Sequence, residues 1–220
     1  MSTPPLVLAS ASPRRRELLG RLGVPFTVTP ADVDENVGGP GMRPERVARA
    51  LARRKALAVA AQHPGSVVLA ADTVVALRGR LLGKPADAAE AWAMLRALRG
   101  RRHRVITGVA LAAGRRVWVR HVVTTVHMRS YSDDEIAASI AAGTPFDKAG
   151  AYAIQDPDFR PVACHEGCYC NVVGLPLAPV IELLAGVGIQ VPRSEPADLL
   201  PACASCPLFA GAPLDAGAGQ

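Results

Sequence analysis

The stretch Leu6-Val7-Leu8-Ala9-Ser10-Ala11-Ser12-Pro13-Arg14-Arg15-Arg16-Glu17-Leu18-Leu19 decides the fold class of this 220-residue chain. Its first half is a short apolar run and reads as a buried strand over 5–9. Ser12 is a good N-cap, and Pro13 suits the first helical position, so a helix is predicted over 13–22. A buried strand running straight into a helix is how α/β folds are built. The turn between them also gathers unpaired backbone N–H groups, the hydroxyls of Ser10 and Ser12, and three arginines. That is an anion site suited to phosphate.

Working outward, a strand is predicted over 25–30, followed by a loop over 31–43 that carries Asp32, Asp34 and Glu35. Pro44 opens a helix over 44–62, in which Val47, Ala50, Leu51, Leu57 and Ala58 recur at helical spacing. An apolar strand over 66–77 contains Ala71-Asp72-Thr73-Val74-Val75. A carboxylate inside such a strand is costly unless a metal, a cation or a reaction needs it. After the turn at Arg78-Gly79-Arg80 come a short strand over 81–82 and the run Gly83-Lys84-Pro85. A helix over 87–98 ends before Gly100, a suitable residue just past a helix end. Strands over 104–112 and 116–128 flank a turn at Ala113-Gly114. Ser132-Asp133-Asp134-Glu135 is a capping box that opens a helix over 133–142. A loop over 144–168, a strand over 169–173, a helix over 176–185 and a strand over 188–191 complete the pattern. The chain therefore reads as α/β with a mixed sheet, organised as one domain over 1–191. A Pro/Ala/Gly-rich tail over 192–220 carries a CxxC, and Gly211–Gln220 is expected to be disordered.

Half of the residues are hydrophobic, and the formal net charge is +6. No apolar run reaches the roughly 20 residues that cross a bilayer, and no basic flank precedes an apolar N-terminal stretch. A cytoplasmic protein without a signal peptide or membrane segment is expected. No acidic residue lies between Glu90 and Asp133, where nine arginines fall. That distribution fits either a nucleic-acid footprint or a solvated basic face. An aromatic content of 4% is thin for stacking single strands, and no nucleic-acid partner is expected.

Several constellations bear on chemistry. Gly79 to Pro85 is not a P-loop, because the glycine spacing is short and Pro85 stands where a magnesium-binding hydroxyl belongs. Lys84 is then either a phosphate contact or a turn lysine. Lys55, taken alone, is an ordinary lysine on a helix surface. Glu35 and Asp72 are hard oxygen donors that suit a divalent ion such as magnesium or manganese. His165-Glu166 with Pro201, Cys203 and Cys206 lacks the spacing of a zinc deaminase. All five cysteines lie in the last 57 residues, 164–220. Cys203 and Cys206, with two of Cys164, His165, Cys168 and Cys170, could hold a structural zinc; Cys164, Cys168, Cys203 and Cys206 are the set chosen, with free thiols as the other reading.

Taken in order, these motifs resemble the Maf family of nucleoside triphosphate pyrophosphatases. The likeness runs from about Leu6 to Val191. It rests on Leu8-Ala9-Ser10-Ala11-Ser12-Pro13-Arg14-Arg15, Asp34-Glu35, Lys55, Ala71-Asp72-Thr73-Val74-Val75 and Gly83-Lys84-Pro85. It continues through His103-Arg104-Val105-Ile106-Thr107-Gly108, Asp147-Lys148-Ala149-Gly150-Ala151-Tyr152-Ala153-Ile154-Gln155 and Asn171-Val172-Val173-Gly174-Leu175-Pro176-Leu177. Ala153 and Asp156 stand where the family usually has glycine. The resemblance implies a mixed α/β fold with two lobes around an active-site cleft. It implies hydrolysis of a nucleotide's α–β phosphoanhydride to the monophosphate and pyrophosphate, in a homodimer. Asp72 matches the proton acceptor and Glu35 a second acidic site residue. Ser10, Arg15, Lys55 and Lys84 match the residues around the phosphates. Arg14, Thr73 and Gln155 stand at the specificity positions and resemble the dTTP/UTP branch. Two alternatives stay open: the 7-methyl-GTP branch, and a non-catalytic basic protein that binds nucleic acid or regulates division.

Overall fold

Leu6–Leu8 forms strand β1, and its residues part to opposite sides of a sheet. Leu6 and Leu8 join one apolar cluster, while Val7 and the following Ala9 join another. Burial on both faces is what a continuous apolar run requires. The architecture around it comes from a computed structural model that describes residues 3–35, 37, 41–192 and 194–211. The remaining strands are β2 (Thr27–Val28), β3 (Val67–Leu77), β4 (Arg80–Leu82), β5 (Arg102–Ala113), β6 (Arg116–Met128) and β7 (Val162–Glu166). The helices are α1 (Pro13–Gly20), α2 (Pro44–Ala60), α3 (Ala88–Leu98), α4 (Asp133–Ala141), α5 (Tyr169–Val173), α6 (Leu177–Ala185) and α7 (Pro196–Leu199).

The strands form one mixed sheet in the order β2-β1-β3-β5-β6-β7, with β4 also on β3. β1 pairs parallel with β2 and β3, and the remaining pairings are antiparallel. Helix α2 covers one face. Its approach to β5 depends on Gly108, where a Cβ would lie 2.3 Å from the carbonyl oxygen of Ala48. The opposite face carries two clusters. One gathers Leu69, Val109 and Leu111 with residues of α1, α6 and the tail. The other gathers Val75, Val105 and Val126 with residues of α3 and α4. These clusters are the two lobes, and Thr73 lies between them on β3. Among the described residues no helix is long and apolar enough to cross a membrane.

Local signals read from sequence operate as chemistry. The Ser12 hydroxyl accepts from Arg15 N, with Pro13 at the start of α1. Ser132 and Glu135 complete their capping box. Gly100 takes φ +62° two residues beyond the end of α3.

Four expectations are corrected. Residues 169–173 are helical rather than extended, because Gly174 N and Leu175 N both donate to the Cys170 carbonyl and close a turn. Val172 and Val173 favour a strand locally, and tertiary contacts override that weak preference. Residues 188–191 make no ladder. Gly188 at φ +82° turns the chain, and Ile189 N bonds back to Leu184 O, so Ile189 closes α6. The expected loop over 144–168 contains β7, which pairs with the end of β6 across a register shift. The β5–β6 turn is Gly114-Arg115, since Ala113 pairs with Arg116. The tail joins the first lobe through Leu199, Cys203 and Cys206. The disorder expected over Gly211–Gln220 falls, beyond Gly211, outside the described residues.

Candidate active site

β1 pairs with β3 through Leu69, and β4 pairs with β3 from Val75. Among the described residues, the stretch 70–74 of β3 therefore has no strand on that edge, whereas β5 runs along the other edge throughout. A break of this kind in a mixed α/β sheet is where ligands gather. A cavity of about 610 Å³ opens there, lined by Ser10, Arg14, Arg15, Glu35, Lys55, Asp72, Thr73, Lys84 and Gln155 among others. Its size is within the range of small-molecule sites.

Asp72 and Thr73 are sequence neighbours, so their side chains leave β3 on opposite faces. Asp72 meets α2, where Lys55 Nζ lies 2.6 Å from Asp72 Oδ1 and 2.6 Å from Glu35 Oε1. The surface role expected for Lys55 from sequence alone is thus corrected. Its side chain is 11% exposed, as is that of Asp72. Burial of either charge is tolerable because each compensates the other. The hydrogen bond from Lys55 holds the Glu35 carboxyl below its ordinary pKa against partial burial, with help from the charges of Lys84 and Arg15. Arg54 donates from Nη1 to the Asp34 carbonyl at 2.5 Å and ties the acidic loop to α2.

The start of α1 forms one wall of the cavity. The Ser10 hydroxyl accepts from Ser12 N at 3.2 Å. Arg15 crosses the cavity, donating from Nε to Gly174 O at 2.8 Å, from Nη2 to Thr73 Oγ1 at 3.0 Å and from Nη1 to Ser10 Oγ at 3.4 Å. Gly174 permits this crossing. It sits at φ +124°, and a Cβ there would lie 3.3 Å from Thr73 Oγ1 and 3.4 Å from Arg15 Nε. Arg14 pairs with Asp147 at 2.9 Å. Burial raises the Asp147 pKa, but hydrogen bonds from Lys148 and Arg14 outweigh it and hold the group low.

On the Thr73 face lies a seam that sequence reasoning did not single out. Thr73 Oγ1 is 2.9 Å from Thr107 Oγ1. Thr107 Oγ1 donates to the Asn171 carbonyl at 2.8 Å, and Thr107 N donates to Asn171 Oδ1 at 3.1 Å. Asn171 Nδ2 donates to Val105 O at 3.0 Å and to Thr124 Oγ1 at 2.9 Å. Thr107 and Asn171 both fall in motifs quoted above. A threonine in an apolar strand followed later by a lone asparagine gives no sign that the two meet. Tyr152 also lines the cavity, and its hydroxyl lies 2.6 Å from His103 Nε2. Burial, with the nearby charge of His127, lowers the His103 pKa to about 4, so its ring is neutral at physiological pH.

The zinc expectation is corrected. Cys164 is exposed on β7, whereas Cys168, Cys170, Cys203 and Cys206 are buried in the first lobe. The buried thiols meet as a chain, Cys206 to Cys168, Cys168 to Cys170 and Cys170 to Cys203, the last pair 3.4 Å apart at Sγ. Among the described residues no three His, Cys, Asp or Glu side chains are placed to share one ion. The four buried cysteines join the tail to α5 within the first lobe.

The chain is 63% identical over 203 residues to a dTTP/UTP pyrophosphatase of Thermomicrobium roseum, covering 92% of this chain and 93% of that one. It is 54% identical over 187 residues to a dTTP/UTP pyrophosphatase of Myxococcus xanthus, covering 85% and 94%. A solved nucleoside-triphosphatase / dITP/XTP pyrophosphatase of Mycobacterium abscessus aligns over 86% of this chain and 100% of that one, at 16% identity and a TM-score of 0.40. Residues 5–187 match the family described as Maf-like protein. Since that match takes in the cavity-lining segments from Ala9 to Val173, the chain belongs to the Maf-like protein family.

Proposed function

We propose that this protein hydrolyses dTTP and UTP at the α–β phosphoanhydride, releasing the monophosphate and pyrophosphate. The observation that carries the reading is Lys55 joined to both Asp72 and Glu35 at the rim of a cation-lined cavity. The relatives named for this activity support it, at 63% and 54% identity.

A bound triphosphate brings about four negative charges, and phosphoryl chemistry depends mainly on positioning and neutralising them. Arg15, Lys84 and the backbone N–H groups opening α1 supply that neutralisation. Asp72, aimed by its bond to Lys55, takes the proton of the attacking water as oxygen bonds to the α-phosphorus. The bond from that phosphorus to the bridging oxygen breaks, and pyrophosphate leaves. Glu35 and Asp72 each commit one oxygen to Lys55. Two carboxylates together with substrate phosphates match the donor set that magnesium takes, so these residues fit a divalent ion. Held by Glu35 and Asp72, magnesium or manganese would supply Lewis-acid chemistry, neutralising phosphate charge and favouring deprotonation of the attacking water. Arg14, Thr73 and Gln155 face the base. The same reading takes residues 1–191 as the catalytic domain of a cytoplasmic homodimer that acts on free nucleotides, apart from nucleic acid and membranes.

The test is incubation with dTTP, UTP and 7-methyl-GTP in magnesium or manganese, with separate assays for pyrophosphate and orthophosphate. Pyrophosphate from dTTP and UTP is expected. Orthophosphate as the product, or 7-methyl-GTP as the best substrate, would overturn the assignment.

A further inference from the structure

Proton counting along the threonine seam fixes what Thr73 can offer to a ligand. A carbonyl oxygen only accepts, so the 2.8 Å contact between Thr107 Oγ1 and Asn171 O uses the single hydroxyl proton of Thr107. The 2.9 Å contact between Thr107 Oγ1 and Thr73 Oγ1 still needs a proton, and only Thr73 can supply it. On its other side Thr73 Oγ1 accepts from Arg15 Nη2 at 3.0 Å, since a guanidinium only donates. The hydroxyl has then spent its proton and one of its two lone pairs. Thr73 is half-buried and lines the cavity, and the lone pair that remains is what it presents there.

The seam cannot readily invert. Reversing the Thr73–Thr107 bond would take the proton of Thr107 from the Asn171 carbonyl, and Asn171 is fully buried. Leaving that acceptor short of a partner is unfavourable. Asn171 is itself held at four points, through its carbonyl, Oδ1 and two bonds from Nδ2.

We propose that Thr107 and Asn171 are positioning residues that make Thr73 an acceptor-only contact, so that the site selects a pyrimidine bearing an N3–H, as uracil and thymine do, over cytosine. This rests on the dTTP/UTP reading. Uracil and thymine donate from N3, whereas cytosine N3 is an acceptor that would face the Thr73 lone pair. A site built to pair with a donor discriminates against an analogue lacking it, because its own group is left unmatched.

Equilibrium binding in EDTA tests this without turnover. Calorimetric Kd values are measured for UTP, CTP and the triphosphate of 3-methyluridine, which keeps both carbonyls but loses the N3 proton. UTP should bind wild type at least about tenfold more tightly than either. Thr107→Val removes the acceptor and frees the Thr73 proton, so the UTP-to-CTP preference should fall about tenfold while affinity for inorganic pyrophosphate is unchanged. Thr107→Ser should restore the preference, which a merely structural role would not predict. If Thr107→Val does not fold, the wild-type comparison of UTP with 3-methyl-UTP decides. Equal binding of these two by wild type, or an unchanged preference in a folded Thr107→Val, overturns the inference alone. A protein that binds no pyrimidine triphosphate overturns the function reading and this inference together.

Discussion

The two faces of β3 at its bare edge are built from opposite materials. On the Asp72 face the partners are charged: Lys55 bridges two carboxylates at 2.6 Å each. On the Thr73 face, beneath Arg15, neutral hydroxyls and an amide follow one another as Thr73, Thr107, Asn171 and Thr124, each hydrogen-bonded to the next. Charges give strong, weakly directional forces suited to phosphate and to proton transfer. Neutral hydrogen bonds give direction, and direction distinguishes one base edge from another. Because consecutive residues of a strand face opposite ways, two adjacent positions bring two kinds of side-chain environment to one cavity.

The comparison breaks most visibly at Asp72. Asp72→Asn should keep the fold, read by circular dichroism, and lower pyrophosphate release by roughly 10²–10⁴-fold, the usual contribution of a general base. A near-native rate would remove Asp72 from the chemistry.

Lys55→Met tests the same face through stability. It leaves the buried Asp72 carboxylate without its counter-charge, and breaking a buried pair in this way costs about 3–5 kcal/mol. Chemical denaturation should show that loss. Lys55→Met with Asp72→Asn should recover much of it, since the orphaned charge is then gone. Additive losses in the double variant would mean that the pair is not coupled.

The neutral face is tested by pH through His103, which lies on the same side of β5 as Thr107. Its pKa is about 4 in the folded protein and about 6.5 when unfolded. Between those values the unfolded chain binds more protons, so stability rises with pH. The contribution is fully present above pH 6.5 and is lost as pH falls toward 4, at most about 3 kcal/mol for a shift of this size. Thermal melts from pH 7 to 4 should show the decline. His103→Gln should flatten it, and an equal slope in both proteins would assign the decline to other groups.

Legibility in the sequence followed the range of the forces. The caps at Ser12 and Ser132 were readable because a cap is made within three residues of itself. The strand over 66–77 was readable from its apolar run, and Asp72 from its being out of place within it. Lys55 was not readable as a site residue on helical spacing alone, because its burial depends on α2 lying against β3 beside Gly108. The helix at 169–173 was misread because local preference favours a strand there, while the contacts that hold Asn171 come from β5 and β6. Strand β7 was hidden for the same reason, its ladder lying against the far end of β6.

The sequence by itself determined the α/β class, the capped strand-to-helix turn at Ser10 to Arg15, and the presence of an unusual carboxylate at Asp72. These follow from periodicity, capping and the cost of burying charge, all of which act along the chain. Only the tertiary structure decided that Lys55 bridges Asp72 and Glu35, that four cysteines meet one another, and that the Thr73 hydroxyl has its proton committed to Thr107. Each of those is a contact between segments far apart in the chain. Hydrogen bonds and ion pairs act over a few ångströms, so such contacts exist only once the sheet has set its register.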